Sequence, residues 1–229
     1  MMHKVVLHAG LLLVLVVSLA AGSAAGSGAV TIDAEIGISA AVSLVETRLA
    51  GLMKTMQVMA HTEEVRSGDW SAMEGLLAQF EELSIPLLAW FARPDGSYYA
   101  VGIGLAAANL GDRPYFPQVM AGEMTVGDLL VSRATGERMI AATVPVEQAG
   151  EVVGALGVSV FAAQLSQIVI RDIGLPDGIV LCAVNEAGQV TLHSNPDLIM
   201  QDADTLPSPS TAVTKASDML GWLFVLDLP

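Results

Sequence analysis

The sequence is poor in cysteine and in positive charge, and each shortage excludes a class of protein. Cys182 is the only cysteine among 229 residues, so neither an intramolecular disulfide framework nor a cysteine-rich zinc site can form. Lys and Arg total 10 against 24 Asp and Glu, which gives a formal net charge of -14. Because binding to a phosphate backbone requires clustered cations, the sequence argues against a nucleic-acid partner.

Catalytic motifs are also missing. The sequence contains no Gly-x-Ser-x-Gly run, no histidine pair at helical spacing and no phosphate-binding loop. Its four histidines, His3, His8, His61 and His193, are scattered without the spacing of metal ligands. Since an enzyme needs a nucleophile with a base, a metal triad or paired carboxylates, we predict that the chain is not an enzyme and holds no metal or cofactor.

Apolar residues, in contrast, are abundant. They make up 53% of the chain, whereas charged residues make up 15%. This balance excludes disorder and predicts a substantial hydrophobic core. The length suits one domain of ordinary size, or one domain with a small annex.

The N-terminus has the pattern of a secretory signal. A short basic segment from Met1 to Lys4 precedes an apolar run from Val5 to Ala21, and Ala20 to Ala29 consists of Ala, Gly and Ser. We predict a cleaved signal peptide within residues 1–27, with an uncleaved signal anchor as the alternative. Either one predicts an extracytoplasmic protein that is periplasmic, secreted or anchored by its N-terminal segment. No second apolar run of spanning length follows, so we expect no cytoplasmic output domain.

A long helix is predicted from Thr31 or Asp33 to about Arg66. Within it, apolar residues alternate at spacings of four and three, which is the pattern of a coiled-coil seam. Two interpretations remain open: the helix packs on its own domain, or it forms a homodimer. The seam residues are Ile38, Val42, Val45, Leu49, Leu52, Met56 and Met59.

Beyond Ile85 the pattern changes from helical to extended. Turn sequences at Arg93–Gly96, Ala134–Glu137, Gln148–Glu151 and Asn185–Gly188 separate apolar strands and predict hairpins. A capping-box pattern of Ser71 with Glu74 predicts a short helix before the first hairpin. A further helix is predicted from Ala162 to Asp172. The predicted fold class is α+β, with helices on one face of an antiparallel sheet.

An ordered set of motifs resembles a known family. The set comprises Gly111-Asp112-Arg113-Pro114-Tyr115-Phe116, Ser132-Arg133-Ala134-Thr135-Gly136, Val144-Pro145-Val146 and the strand Val152–Ser159. In this order and spacing, these motifs look like the extracytoplasmic Cache sensor domain, a PAS-like fold of chemoreceptors and sensor kinases. The segment from Ile179 to Pro196 and the strand from Gly221 resemble the second, membrane-proximal module of double Cache domains, here in a reduced form.

The resemblance implies a ligand site around Arg113. A guanidinium matches a carboxylate with two parallel hydrogen bonds, and in amino-acid-binding Cache domains an Arg-x-aromatic-aromatic run holds the ligand carboxylate. Arg113, Tyr115 and Phe116 match that run, and Ser132 and Arg133 lie on the strand expected opposite. The alternatives are that Arg113 pairs with a nearby Asp while the aromatics fill the core, and that Arg133 is a solvated strand end.

Two departures from the family pattern bear on the ligand. Ser159 stands where amino-acid binders have the Asp that holds the ligand ammonium, and Ala108 stands where they have a Tyr. The sequence therefore favours a small carboxylate without an ammonium group over an amino acid. In the second module, His193 is either a ligand contact or a strand-end histidine bonded to a backbone carbonyl, and Cys182 is expected to be a small buried hydrophobe.

These expectations define an extracytoplasmic small-molecule sensor domain. We predict a helix with a membrane-distal Cache module over residues 28–175 and a reduced membrane-proximal module over residues 176–229. The domain would signal through a separate membrane receptor or kinase. The alternative is a ligand-free interaction or dimerisation module that acts through its N-terminal helix.

Overall fold

The computed structural model describes residues 33–207 and 211–228. The predicted signal segment at residues 1–27 lies outside the described residues. Helix α1 covers Ala34–Ala60, α2 covers Glu63–Arg66, and α3 covers Trp70–Glu82. Strands β1 (Leu87–Ala92), β2 (Ser97–Ala100) and β3 (Gly104–Asn109) precede α4 (Phe116–Met120), and strands β4 (Thr125–Val131), β5 (Arg138–Gln148) and β6 (Glu151–Phe161) lead into α5 (Ala162–Ile173). The chain then forms β7 (Val180–Val184), β8 (Val190–His193), two short 3-10 turns, β9 (Ala212–Ser217) and β10 (Trp222–Asp227).

Side-chain capping sets the helix boundaries. Asp33 accepts a hydrogen bond from the backbone N–H of Glu35 (3.0 Å) and begins α1. The helix ends at Ala60 rather than near Arg66, because Thr62 donates to the Met59 carbonyl (2.9 Å) and caps a new turn. Asp69 begins α3 by accepting from the backbone N–H of Ser71 (3.0 Å), so the predicted cap at Ser71 is displaced by two residues.

Helix α1 uses its seam inside its own chain. All seven seam residues are buried, with Leu52 the most exposed at 7%. They belong to the large hydrophobic cluster, and α1 contacts β5, α5, β9 and β10. These side chains are covered within the chain, which favours the interpretation that the helix packs on its own domain. A homodimer through Ile38, Val42, Val45, Leu49, Leu52, Met56 and Met59 stays a prediction. Among the described residues, α1 alone is long and apolar enough to cross a bilayer, and here its apolar face lies in the protein core.

The first sheet is antiparallel, with the strand order β3-β2-β1-β6-β5-β4. Strand β2 ends at Ala100, where the chain turns and returns as β3. Gly102 and Gly104 have φ values of +70° and +72° in this turn, a conformation that glycine adopts without strain. Strand β3 lies at the edge of the sheet and pairs only with β2.

The second sheet has four antiparallel strands in the order β8-β7-β10-β9. It occupies the region in which the sequence predicted a reduced second module. Strand β9 was not predicted, since its sequence Ala-Val-Thr-Lys-Ala-Ser has little apolar character. One hydrophobic cluster joins residues of both sheets with α1, so the division at residue 176 stays a prediction.

Strand alternation gives the first sheet two different faces. Leu87, Ala89 and Phe91 of β1 point to the cluster that contains α1 and α3. The alternate residues, Leu88 and Trp90, belong to a second cluster on the outer face. The candidate site lies on this outer face.

Candidate functional site

The segment between β3 and β4 covers the outer face of the first sheet. It turns at Arg113, whose backbone N–H donates to the Leu110 carbonyl (2.9 Å), and the N–H of Phe116 then donates to the Arg113 carbonyl (3.0 Å). The short helix α4 follows, with Pro117 in its first turn. Tyr115 and Phe116 are buried here, at 1% and 6% exposure.

Five of the six predicted site residues line one small cavity on this face, which we call the arginine cavity. Its volume is about 10 Å³, which is close to the space that one water molecule needs. The cavity lies between the covering segment, the β4–β5 turn and the outer face of the sheet. It is lined by Leu88, Trp90, Tyr98, Leu110, Arg113, Tyr115, Ser132, Arg133, Ala134, Met139 and Ser159.

Arg113 is the principal cation of this cavity. Its Nη2 donates to the Val131 carbonyl (2.6 Å), which holds the guanidinium across the end of β4. Its Nε is buried and has no hydrogen-bond partner among the described residues. Within that part of the chain, Arg113 makes no ion pair, so the alternative in which it pairs with Asp112 or Asp128 does not hold. The guanidinium therefore retains donors for an anion.

Three aromatic rings form one wall of the cavity. Trp90 stacks against Tyr115 with ring centroids 5.9 Å apart, and it meets Tyr98 edge-on at 6.4 Å. Burial raises the pKa of the Tyr98 and Tyr115 phenols further above neutrality, so both are protonated donors at neutral pH. The hydroxyl of Tyr115 is buried without a hydrogen-bond partner in the described chain. It is therefore a second unsatisfied donor beside Arg113.

Two buried serines contribute hydroxyl groups. Ser159 Oγ accepts a hydrogen bond from Trp90 Nε1 (3.3 Å), and this bond fixes the indole over β6. Ser132 Oγ accepts from the backbone N–H of Thr135 (3.2 Å) and supports the β4–β5 turn. Each hydroxyl keeps its own proton available for donation.

Arg133 lies at the rim of the cavity and is already paired. Its Nη1 and Nη2 donate to the two carboxylate oxygens of Asp112 (2.5 and 2.8 Å), and Nη1 also reaches the Asn109 carbonyl. This pairing lowers the pKa of the Asp112 carboxyl. Because 70% of the Asp112 side chain is exposed, water screens the pair. Arg133 is thus neither a solvated strand end nor a free second anion contact, but part of a bridge that ties the covering segment to the β4–β5 turn.

Phe116 does not line the arginine cavity. It packs in the outer hydrophobic cluster with Val119 and Ala155. Trp90 and Tyr98 do line it, although the sequence did not single them out. For Trp90 the sequence contains part of the signal, because Trp90 alternates with the inward-facing Ala89 and Phe91. All six residues of β1 are apolar and buried, however, so no polar residue distinguishes the outer face from the inner one.

The chemistry of the lining favours an anion. The described lining contains two guanidinium groups, two hydroxyls and two phenols, but no carboxylate. Donors with no partner meet there in a water-poor setting, in which a hydrogen bond to a charged acceptor is strengthened. No nucleophile–base pair is part of this lining, and no cluster of metal-ligating side chains occurs in the described chain.

No protein-family model and no curated protein sequence matches the chain. Several solved structures do. The ligand-binding domain of the amino-acid chemoreceptor PctC of Pseudomonas aeruginosa, in complex with GABA, aligns with a TM-score of 0.65 at 18% identity over 85% of this chain and 95% of that one. The ligand-binding domain of the chemoreceptor CtaA of Pseudomonas fluorescens, in complex with L-valine, gives 0.67 at 16% identity over 86% and 95%.

The sensor domain of the V. cholerae histidine kinase DctB aligns with a TM-score of 0.66 at 13% identity, over 85% of this chain and 95% of that one. TM-scores of 0.65, 0.67 and 0.66 establish a shared fold, and at identities this low they establish the fold alone. The similarity extends through both sheets, since it covers most of the described chain. The predicted α+β fold is confirmed: this chain has the fold of the ligand-binding domains of two chemoreceptors and of the sensor domain of a histidine kinase.

Proposed function

We propose that this protein is an extracytoplasmic sensor domain that binds a small carboxylate in the arginine cavity and performs no chemistry on it. One observation carries the proposal: Arg113 Nε and the Tyr115 hydroxyl are both buried, both lack a hydrogen-bond partner in the described chain, and both residues line the same cavity. A buried donor without a partner costs about 1–3 kcal/mol. A carboxylate would accept from both groups and remove that cost.

The lining also favours a ligand that lacks an ammonium group. GABA and L-valine, which are bound to the chemoreceptor domains above, each carry an ammonium as well as a carboxylate. An ammonium needs an anionic partner in a buried site. The described lining of the arginine cavity offers the neutral hydroxyls of Ser132 and Ser159, and the nearby Asp112 is occupied by Arg133. A mono- or dicarboxylate therefore fits this chain better than an amino acid.

A cavity of about 10 Å³ is too small for any carboxylate without movement of its walls. The rim is the part best able to move, because the Asp112–Arg133 bridge is largely exposed and screened. Binding would thus require separation of the covering segment from the β4–β5 turn. The volume is also the observation that favours the second candidate, a ligand-free interaction module. That module would need a surface other than the seam of α1, which is buried.

The proposal extends to location and partner. The secretory pattern at the N-terminus supports an extracytoplasmic location. The solved structures of the same fold are parts of chemoreceptors and of a histidine kinase. We infer that ligand binding is reported to a membrane receptor or kinase of this kind.

A thermal-shift screen of the 229-residue chain against small carboxylates, amino acids and amines tests the proposal. A ligand at a hundredfold its dissociation constant stabilises by about 2.7 kcal/mol, which raises the midpoint by roughly 5–10 °C in a chain of this size. We expect a carboxylate to produce this shift. Arg113→Gln should abolish it, and Arg171→Gln should retain it, because Arg171 is an exposed cation on α5.

Tyr115→Phe is the sharper variant, since it removes only an unpartnered hydroxyl and should leave the unliganded midpoint unchanged or raised. A reduced carboxylate shift in Tyr115→Phe supports the proposal. A shift with amino acids alone would overturn the ligand class. The absence of any shift in the folded protein would favour the interaction module.

A further inference from the structure

A second, larger cavity lies on the outer face of the second sheet, which we call the valine cavity. Its volume is about 360 Å³, within the range of roughly 300–1,000 Å³ that small-molecule sites occupy. One side is the face of β7, β8 and β10 that points away from α1. The other side is the segment that follows β8 and contains the two 3-10 turns, Pro196–Leu198 and Ala203–Thr205.

The walls of the valine cavity are mainly apolar because of strand alternation. Leu181 and Ala183 of β7 are buried in the core, so Val180, Cys182 and Val184 point to the cavity. Burial raises the pKa of the Cys182 thiol to about 11, so this side chain stays neutral and belongs to the apolar wall. The apolar lining comprises Val180, Cys182, Val184, Val225, Leu198, Ala203, Leu206 and Pro207.

One carboxylate stands in this apolar lining. Asp227, at the end of β10, lines the cavity, and its Oδ1 is buried with no hydrogen-bond partner in the described chain. No Lys or Arg is among the described lining residues, and none of the described ion pairs includes Asp227. A partly buried carboxylate without a cation is an electrostatic cost that a cationic ligand would remove.

His193 is the other polar residue of the lining, and it is held as a neutral ring. Its Nδ1 accepts a hydrogen bond from the backbone N–H of Asn195 (2.8 Å), so the proton of the neutral imidazole is on Nε2. The prediction that His193 bonds to a backbone carbonyl is therefore corrected: the ring accepts from a backbone N–H. A neutral imidazole does not repel a cation.

We propose that the valine cavity binds a small hydrophobic amine, with the apolar body against the valines and the ammonium paired with the Asp227 carboxylate. The two cavities would then have opposite charge preferences, since the arginine cavity is lined by guanidinium groups and the valine cavity by a carboxylate. A ligand with an ionised carboxylate would be repelled from the valine cavity by the carboxylate of Asp227. This inference does not depend on the ligand proposed for the arginine cavity.

Three probes of nearly equal shape test the charge preference by calorimetry: 2-phenylethylamine, 2-phenylethanol and phenylacetate. The cation should bind at least tenfold more tightly than the neutral alcohol, and the anion should not bind. Asp227→Asn should weaken amine binding at least tenfold. The matched control Asp197→Asn removes an exposed carboxylate from the segment that follows β8 and should leave amine binding unchanged.

Two further variants locate the binding. Val225→Phe fills the cavity with apolar volume and should abolish amine binding in a protein that still unfolds cooperatively. Arg113→Gln should not affect the amine, which separates this site from the arginine cavity. The proposal is overturned if the amine does not bind, if the alcohol binds as tightly as the amine, or if amine binding survives both Asp227→Asn and Val225→Phe.

Discussion

At the scale of single residues, the contact between Trp90 and Gly157 shapes the arginine cavity. The two residues are directly paired across β1 and β6, and the indole lies over the glycine. A Cβ atom at position 157 would overlap the Trp90 ring. The glycine therefore lets a large ring lie flat on the sheet, where Ser159 holds its Nε1.

Gly157→Ala should lower the free energy of unfolding by about 1–3 kcal/mol, because the new methyl group displaces the indole of Trp90. It should also weaken carboxylate binding in the arginine cavity, since Trp90 is part of its wall. Urea denaturation measures the first effect and the thermal shift the second. Gly51→Ala is the matched control: nothing lies within 4 Å of its added methyl in α1, and the variant should gain up to about 1 kcal/mol. Equal stability of Gly157→Ala and the wild type would contradict the assigned contact.

His193 makes stability depend on pH. Burial lowers the pKa of its imidazole below the usual value of 6.5, so the unfolded chain binds more protons than the folded one below about pH 6.5. The contribution of His193 to the free energy of unfolding should therefore fall as the pH falls from 7 to 5. In denaturant titrations over this range, the difference in free energy of unfolding between the wild type and His193→Asn should shift against the wild type as the pH falls. His61→Asn, which removes an exposed histidine, should keep the wild-type dependence of the free energy of unfolding on pH. The prediction fails if His193→Asn also keeps that dependence.

The individual site residues were only partly predictable. A guanidinium beside aromatics is visible in the sequence, and Arg113 and Tyr115 indeed meet in one cavity. Phe116 was assigned with them, but consecutive residues at a helix start point in different directions, and its ring packs in the outer hydrophobic cluster instead. The pairing of Arg133 with Asp112 joins positions far apart in sequence, and no local pattern encodes it.

At the scale of elements, α1 is the main support of the fold. Its seam was visible in the sequence as a repeat, but a repeat does not state which surface covers it. The structure supplies that surface from β5, α5, β9 and β10. Strands β3 and β9 escaped prediction for a related reason: both are edge strands with small or polar side chains, so their pairing comes from neighbours rather than from a pattern of their own.

Leu49→Ala distinguishes a core seam from a dimer seam. Leu49 is fully buried in α1, so the variant should lose about 2–5 kcal/mol of unfolding free energy. This loss should be independent of protein concentration, because the contacts are within one chain. Val58→Ala, at a position that is 70% exposed on the same helix, should change stability by less than about 0.5 kcal/mol. If the midpoint of Leu49→Ala instead rose with protein concentration, the seam would also serve an interface.

At the scale of the whole molecule, the negative charge is the dominant electrostatic feature. A net charge of -14 produces self-repulsion in the compact state, and the described chain has few ion pairs to offset it. The same charge supports solubility and disfavours nucleic acid. It also makes a cation-binding cavity more favourable than the local contacts alone would suggest.

Salt should therefore stabilise the protein. Raising the ionic strength from 0.01 to 0.15 M shortens the screening length from about 30 Å to about 8 Å and weakens the self-repulsion. The melting temperature at pH 7 should rise between these conditions. Near the isoelectric point of about 4.4 the same salt step should have little effect, which controls for ion effects unrelated to charge. A lower melting temperature in salt at pH 7 would mean that attractive pairs dominate.

The strand order of the first sheet also has a kinetic consequence. Every neighbouring pair in β3-β2-β1-β6-β5-β4 joins consecutive strands except the central one, in which β1 pairs with β6 and Leu87 lies opposite Val160. Each half of the sheet can form by short-range closure, whereas the central pair must first close a long stretch of chain. We therefore expect the docking of two separately formed meanders to be the slow step of folding. Trp90 and Gly157 are paired across these two central strands, so the wall of the arginine cavity is completed only when the sheet itself is complete.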